Sequence, residues 1–399
     1  MNLAIPITGL PVPAVKGGAI QTGIQHIIDQ NEKYGLLRIT VISIFNKEAL
    51  EASKNYKNTE FVFIHSNSLL RKIVSYANSI FYKFKLDLRL MKEAHFLRKV
   101  VQIINTHNFD FILLKNNVQY VLPLAKRTRT HICLQLHNDH LNSSVFKAID
   151  ICNVTRKILV NSAYIKSRVL SIQGVQPDKI YVNKNCTDIE IFNKELYKND
   201  VDTYKKKLGI KNNEIVIIYC GRIIPAKGVK ELIAAVKLLN ANINYKLIIV
   251  GSSWFGKSTK SKYILELEEL SKEIEDKIIF TGYISYRDVP KYHAISDIAV
   301  VPSIWEEPAG RVVIEFQSSG LPLIVSDSGG ISDYISYESA MVVSRDGNFS
   351  TKLAKALEVL TKNTDLRKRM GNYGKEFAKN FSPNKYYFDL INILTNDNE

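Results

Sequence analysis

The chain has 399 residues, 46% of them hydrophobic and 23% charged, with 19 Gly and 11 Pro, a mix that gives a folded protein room for two cores and excludes a disordered or fibrous chain. Its formal net charge of +15 is lopsided: residues 1–190 hold 25 Lys and Arg against 13 Asp and Glu, which leaves 29 against 26 for 191–399. Four cysteines, at 133, 152, 186 and 220, form no C-x-x-C pair and no zinc spacing, so the composition implies reduced thiols in a cytoplasmic protein and no disulfide framework.

The amino terminus, "MNLAIPITGLPVPAVKGG", has an apolar start but no basic leader, and prolines break it early. It reads as a first strand and loop rather than a signal peptide. No run approaches the roughly 18 apolar residues that a membrane-spanning helix needs, so the expectation is a soluble chain, or one attached only at a surface. The next strand candidates are "RITVISIF", "FVFIH", "DFILL", "HICLQLH" and "KILVNS", separated by amphipathic stretches. Between the second and third of these lies residues 69–100, "LLRKIVSYANSIFYKFKLDLRLMKEAHFLRKV", with eight Lys and Arg, two acids and several aromatics. Two readings stand for it, an interfacial segment drawn to an anionic membrane surface and the solvated face of ordinary helices. A nucleic-acid-binding protein is a third reading of the basic charge, but no recognisable binding module supports it.

The polar segment "NKNCTDIEIFNKELYKND" reads as a crossover. The second half then repeats the grammar with "EIVIIYCG", "YKLIIVG", "KIIFTG", "DIAVVPS", "LPLIVSD" and "AMVVS". Strands alternating with helical patterns predict an α/β protein of two doubly wound, Rossmann-like domains. The first spans 1–190 with 383–399, where "NKYYFDLINIL" after Pro383 reads as an amphipathic helix. The second spans 191–382.

Chemistry concentrates in the second half. In "CGRIIPAKGVKELIAAVKLL" Gly221 turns the chain at a strand end, and Arg222 and Lys227 precede a helix starting near Gly228. Two cations at the carboxyl end of a strand, beside a helix amino terminus, suit a diphosphate. In "SIWEEPAGRVVIEFQSSGLPLIVSD" a strand leads into a loop carrying Glu307, a helix carrying Arg311 and Glu315, and another strand. Charges among Val312, Val313, Ile314 and Phe316 need a reason. As an ion pair, Arg311 and Glu315 run in the less favourable order on a helix dipole. A carboxylate offers two acceptor oxygens to adjacent hydroxyls, so Glu315 suits a ribose diol and Glu307 a sugar held near the loop.

One stretch competes. "VGSSWFGKST" spells the Walker A pattern through Gly251, Gly256, Lys257 and Ser258, which would make the chain a P-loop NTPase. Trp254 and Phe255 are bulky where a phosphate-cradling loop needs close backbone approach. No hydrophobic strand ending in a metal-binding Asp is paired with it.

Taken together, "GRIIPAKG" and "PSIWEEPAGRVVIEFQSSGLPLIVSDSGG" resemble the retaining glycosyltransferases of family four, which have the GT-B fold of two Rossmann-like domains facing across a cleft. Their signature is two glutamates separated by seven residues, and Glu307 and Glu315 have that spacing. The resemblance covers nearly the whole chain: "VKGGAIQTGIQHI" is similar to the family's glycine loop and first helix, "LQLHND" to its strand ending in a histidine, and "NKNCTDIEIF" to its "NGVD" element. The "PVPAVKGGA" start is similar to members that build bacterial surface polysaccharides.

The resemblance implies that Arg222 and Lys227 neutralise a donor diphosphate, with Gly221 at the turn, and that Glu315 holds the ribose. It implies that Glu307 and the Pro308, Ala309, Gly310 and Arg311 backbone face the donor sugar, that Gly17 and Gly18 let backbone approach the donor, and that His137 lies near the reacting sugar. The partners implied are a nucleotide-sugar donor, a UDP-sugar by preference, and a glycan or lipid-linked glycan acceptor. No cofactor or metal is implied, and the "HNDH" run lacks a further ligand cluster. Two departures stand out: Cys186 replaces the usual glycine of the "NGVD" element, and Ala309 replaces the aromatic that often follows the loop glutamate. A nucleotide-sugar 2-epimerase, which can share the architecture, is the neighbouring enzymatic reading.

Overall fold

The computed structural model describes residues 1–65, 89–253 and 261–396. Most of the basic run at 69–100 and the Gly256, Lys257 and Ser258 of the Walker-like stretch lie outside the described residues. The chain divides into two compact units, Met1–Lys184 with Pro383–Glu399, and Asn185–Ser382.

The first unit is built on seven parallel strands: β1 (Asn2–Pro6), β2 (Arg38–Ile44), β3 (Thr59–Ile64), β4 (Phe111–Lys115), β5 (His131–Leu136), β6 (Lys157–Val160) and β7 (Ile180–Val182), in the spatial order β3-β2-β1-β4-β5-β6-β7. Six of these coincide with apolar runs in the sequence. The edge strand β7 was not among the candidates, because three residues between polar neighbours leave no periodicity to read. Helices connect the strands, so both faces are covered and the strands read as nearly continuous apolar runs. Among them Ala4, Ile42, Ile112 and Leu134 join one core cluster.

The carboxyl-terminal helix Pro383–Thr395 belongs to this unit and buries Tyr386, Tyr387, Leu390 and Leu394. The i, i+4, i+8 spacing of Tyr386, Leu390 and Leu394 puts them on one stripe. Tyr387 stacks on Tyr34 at 6.2 Å between ring centroids and donates its hydroxyl to Asn31 Oδ1 at 2.7 Å. The helix end is closed by Lys157 on β6, whose ammonium donates to the carbonyls of Ile393, Leu394 and Asn396 at 2.7, 3.1 and 2.6 Å. A cation at a helix carboxyl terminus meets both the orphan carbonyls and the negative end of the dipole.

The second unit has six parallel strands, β8 (Ile215–Cys220), β9 (Tyr245–Val250), β10 (Ile278–Gly282), β11 (Ile298–Val301), β12 (Leu323–Ser326) and β13 (Ala340–Val343), in the order β10-β9-β8-β11-β12-β13. All six match candidate runs. Successive residues of a strand serve opposite faces: Ile217, Ile249 and Val300 enter one core, Ile218, Ile248 and Ala299 the other. The unit begins at Asn185 rather than at 191 because residues of the crossover are tied into it. The Asn185 N–H donates to the Tyr334 hydroxyl at 2.8 Å, and Thr187 N–H to the carbonyl of Phe381 at 3.1 Å.

Candidate functional site

In the second unit the strand order reverses between β8 and β11, which are hydrogen-bonded neighbours. Connections leaving such a pair depart in opposite directions and open a crevice at the carboxyl ends, where ligands of open α/β sheets bind. The two loops there are Gly221–Gly228, after β8, and Pro302–Gly310, after β11. They hold most of the residues singled out in the sequence.

The loops are interlocked by backbone. The Ile304 N–H donates to the carbonyl of Ala226 at 3.0 Å. Gly228, at φ 69°, passes so close to β11 that an added Cβ would lie 1.8 Å from the carbonyl oxygen of Pro302. Only glycine tolerates that approach together with that conformation. Between the two lies the turn Pro225–Lys227, and the helix Val229–Lys237 starts at once after Gly228.

This places the Lys227 ammonium 2.5 Å from Glu307 Oε1. The same oxygen accepts from Ser303 Oγ at 2.6 Å, and the Lys227 ammonium stands 5.5 Å from the centroid of the Trp305 ring. The Glu307 backbone is fixed from β12: its N–H donates to Ser328 Oγ at 3.0 Å, and its carbonyl accepts from Gly330 N–H at 2.6 Å. A Cβ on Gly329 would lie 2.3 Å from that carbonyl, which is why small residues follow β12. The adjacent Glu306 faces elsewhere, accepting from Gly329 N–H at 2.6 Å and from Arg345 at 2.5 Å.

Glu315 sits in the helix Arg311–Ser318 and is buried. Tyr286 donates to its Oε1 at 3.2 Å, and the Tyr286 hydroxyl lies 3.0 Å from Thr187 Oγ1. Burial pushes the Glu315 carboxyl up to about 7, opposed by the charge of Arg311 and by the hydroxyls of Tyr286 and Thr187. Burial and the Glu315 charge likewise raise the Tyr286 phenol. Beneath the helix, burial and the nearby Lys194 hold His293 down to about 3. Its Nδ1 is 3.0 Å from Ser319 Oγ, so it stays neutral and serves as packing.

Electrostatics tie the remaining residues to this crevice. The buried Tyr219, on β8, feels the charges of both Glu307 and Arg222, while Cys220 at the strand end feels Glu315. The Tyr219 hydroxyl donates to the carbonyl of Arg222 at 2.7 Å, leaving that arginine's side chain exposed. Arg222, Lys227, Glu307, Arg311 and Glu315, with Gly221 and the Pro308–Gly310 backbone, thus all lie around the carboxyl ends of β8 and β11. Ser303, Ser328, Tyr286 and Thr187 complete the surroundings of the two glutamates. No spacing in the sequence pointed to these four.

The Walker-like stretch gains a different account at its one described glycine. A Cβ on Gly251, at φ 139°, would lie 1.9 Å from the Gly221 carbonyl oxygen, so Gly251 is explained by the contact of two strand ends without any phosphate.

Gly17, Gly18 and His137 are in the first unit. Gly17 and Gly18 adopt φ 70° and 100° just before the helix Ala19–Tyr34. Gln25 Oε1 in that helix accepts the Ala14 N–H at 3.0 Å and holds the loop above the helix start. His137 is the first residue after β5. In the "HNDH" run Asp139 is engaged by Arg168 at 2.7 Å and by Asn142 at 2.8 Å. Among the described residues no group of three His, Cys, Asp or Glu side chains is arranged to hold a metal. Nor is any helix among them long and apolar enough to cross a membrane.

Known proteins share this layout. Residues 200–377 match the family model described as glycosyl transferases group 1. The Bacillus subtilis protein YtcC is 27% identical over 380 residues, 93% of this chain and 86% of its own. The lipopolysaccharide 1,2-N-acetylglucosaminetransferase of Salmonella typhimurium is 27% identical over 236 residues, 58% of each chain. The crystal structure of Anabaena HepE in complex with UDP superposes with a TM-score of 0.75 at 19% identity, covering 99% of both chains. Over nearly its whole length the chain therefore shares the two-domain GT-B fold, and its residues 200–377 are similar to the glycosyl transferases group 1 family.

Proposed function

We propose that the protein is a retaining glycosyltransferase that moves a sugar from a nucleoside diphosphate, a UDP-sugar by preference, to a hydroxyl of a glycan or lipid-linked glycan during synthesis of a bacterial cell-surface polysaccharide. The observation that carries the reading is the interlocked Lys227 and Glu307 pair, 2.5 Å apart, at the point where the strand order of the second unit reverses. A buried carboxylate holds the lysine in one place, so the ammonium is fixed before any ligand arrives. Preorganised charge of this kind is what a departing diphosphate requires.

In this reading Lys227, Arg222 and the amino terminus of the helix Val229–Lys237 take the diphosphate. Glu315 takes the ribose hydroxyls, and Glu307 with the Pro308–Arg311 backbone takes the donor sugar. Gly17, Gly18 and His137 of the first unit serve the sugar-side of the reaction. The bond from the anomeric carbon to the diphosphate oxygen breaks as the acceptor oxygen bonds to the same face of that carbon. The acceptor's proton passes to the departing phosphate oxygen, so neither a covalent intermediate nor a metal is required. Support for the donor comes from HepE, solved with UDP; support for the acceptor class comes from the lipopolysaccharide enzyme. An acceptor on a lipid carrier would bring this cytoplasmic protein to the inner face of the plasma membrane.

The test is a thermal-shift panel of UDP-, GDP- and ADP-sugars. A donor at 100 times its dissociation constant stabilises by about 2.7 kcal/mol, and UDP-sugars are expected to give the largest shift. Product analysis by NMR then reads the configuration at the new linkage. No shift with any nucleotide sugar, or a product of inverted configuration, would count against the reading.

A further inference from the structure

In the first unit β5 and β6 end level and β4 one residue short of them, and the residue just past each is polar: Asn116 after β4, His137 after β5 and Asn161 after β6. Backbone pairing ends here, since Lys115 pairs with Gln135 and Leu136 with Val160. Side chains then take over the ladder. Asn116 Oδ1 accepts the His137 N–H at 2.6 Å, and Asn161 Nδ2 donates to the His137 carbonyl at 3.1 Å. Both asparagines are buried, at 8% and 1% exposure, while His137 is half-buried.

Asn116 does this from a conformation that L residues avoid. Its own N–H still donates to the carbonyl of Gln135 at 2.8 Å, and at φ 59° the chain turns left-handed towards the helix Val118–Ala125. Asparagine bears that region better than most residues, and glycine bears it best. A site that needed only the turn would be served by glycine. Retaining a side chain there makes sense if its oxygen has a task, and the atom it meets is the His137 amide.

We propose that Asn116 and Asn161 are positioning residues: they clamp the His137 peptide from both sides and so fix the direction in which its imidazole leaves the sheet edge. The role of that imidazole rests on the glycosyltransferase reading above, whereas the clamp does not. The chemistry predicts opposite outcomes for one replacement at two positions. Asn116→Asp keeps an acceptor for the N–H, but Asn161→Asp cannot donate to the carbonyl.

The experiment follows, in the full-length protein, hydrogen exchange of the His137 amide together with UDP release from UDP-glucose. Asn116→Gly, which relaxes the backbone, is expected to speed His137 exchange at least tenfold. It should lower kcat at least tenfold and leave KM for UDP-glucose within twofold. Asn116→Asp should match the parent protein in both measurements, and Asn161→Asp should lose kcat as Asn116→Gly does. Unchanged exchange in Asn116→Gly sinks the clamp. Faster exchange with unchanged UDP release sinks the role given to His137, so the two failures are told apart.

Discussion

Among the described residues, the deeply buried charges of the first unit are lysines and those of the second are glutamates. Lys115 and Lys157 are 1% and 3% exposed, Glu307 and Glu315 6% and 8%. Lys157 donates to three carbonyls at a helix end, and Lys115 to the Tyr386 hydroxyl at 2.9 Å. Glu307 sits in a strand-end loop and Glu315 in the helix that follows it, and they take partners from different elements, a lysine and a serine for one, a tyrosine for the other. Burial of charge alone therefore does not mark a site. Lys157, whose carbonyl partners close a helix, is explained by architecture, while the two glutamates stand at a strand-order reversal, where open α/β sheets bind their ligands.

The largest effect expected is at Lys227. Replacing it by alanine removes a fixed cation and leaves Glu307 buried without its ammonium, so transfer should fall by about 10²- to 10³-fold, measured as product formed per enzyme. Lys257→Ala in the Walker-like stretch should change little. A severe loss at Lys257 with activity retained at Lys227 would reverse the assignment and restore the P-loop NTPase. Incubation of the donor without acceptor separates the other neighbour, since a 2-epimerase would return an epimerised nucleotide sugar.

Architecture is tested at Lys157. Lys157→Met keeps the aliphatic stem but uncovers three carbonyls, each bond to a charged donor being worth about 1.5–3 kcal/mol, part of which water recovers. A net loss of about 2–4 kcal/mol in urea unfolding is expected, with kcat unchanged below the new transition. If kcat fell while stability held, Lys157 would belong with the site rather than the frame.

The difference between the two kinds of buried charge was only half legible in the sequence. Glu307 and Glu315 stood out because apolar neighbours made their charge conspicuous, and Lys227 because glycines and a strand end framed it. The strands of the second unit were legible for a related reason: they are nearly continuous apolar runs, interrupted only by Lys246 in β9 and Thr281 in β10. Strand β7 has three residues and no such run. Tyr286, 29 residues before the glutamate it meets, is of a common polar type and carries no spacing signal. Neither do Thr187, Ser303 or Ser328, since their partners are chosen by packing between elements distant in the chain. Asn116 is similar, because its left-handed turn leaves no trace in "LLKNNVQ".

The smallest effect, and the most discriminating for Glu315, is on pH. Its carboxyl is raised from 4.5 to about 7, so the folded protein holds a proton that the unfolded chain releases between those values. Stability from this group is complete below pH 4.5 and is lost as pH rises through 7. Glu315→Gln should flatten that slope and make the ligand-free protein more stable at pH 8 than its parent. Ribose binding should run the other way, because an ionised carboxylate accepts from two hydroxyls and a protonated one spends an oxygen on its own proton. Uridine is the probe, since it carries the diol without a phosphate that titrates near 6. Its affinity should weaken by up to about tenfold between pH 8 and pH 6, where roughly a tenth of a group with this pKa is ionised. The glutamine variant should bind weakly and without that dependence. Uridine affinity that is flat in the parent protein would move the ribose away from Glu315 and leave its burial as a matter of packing.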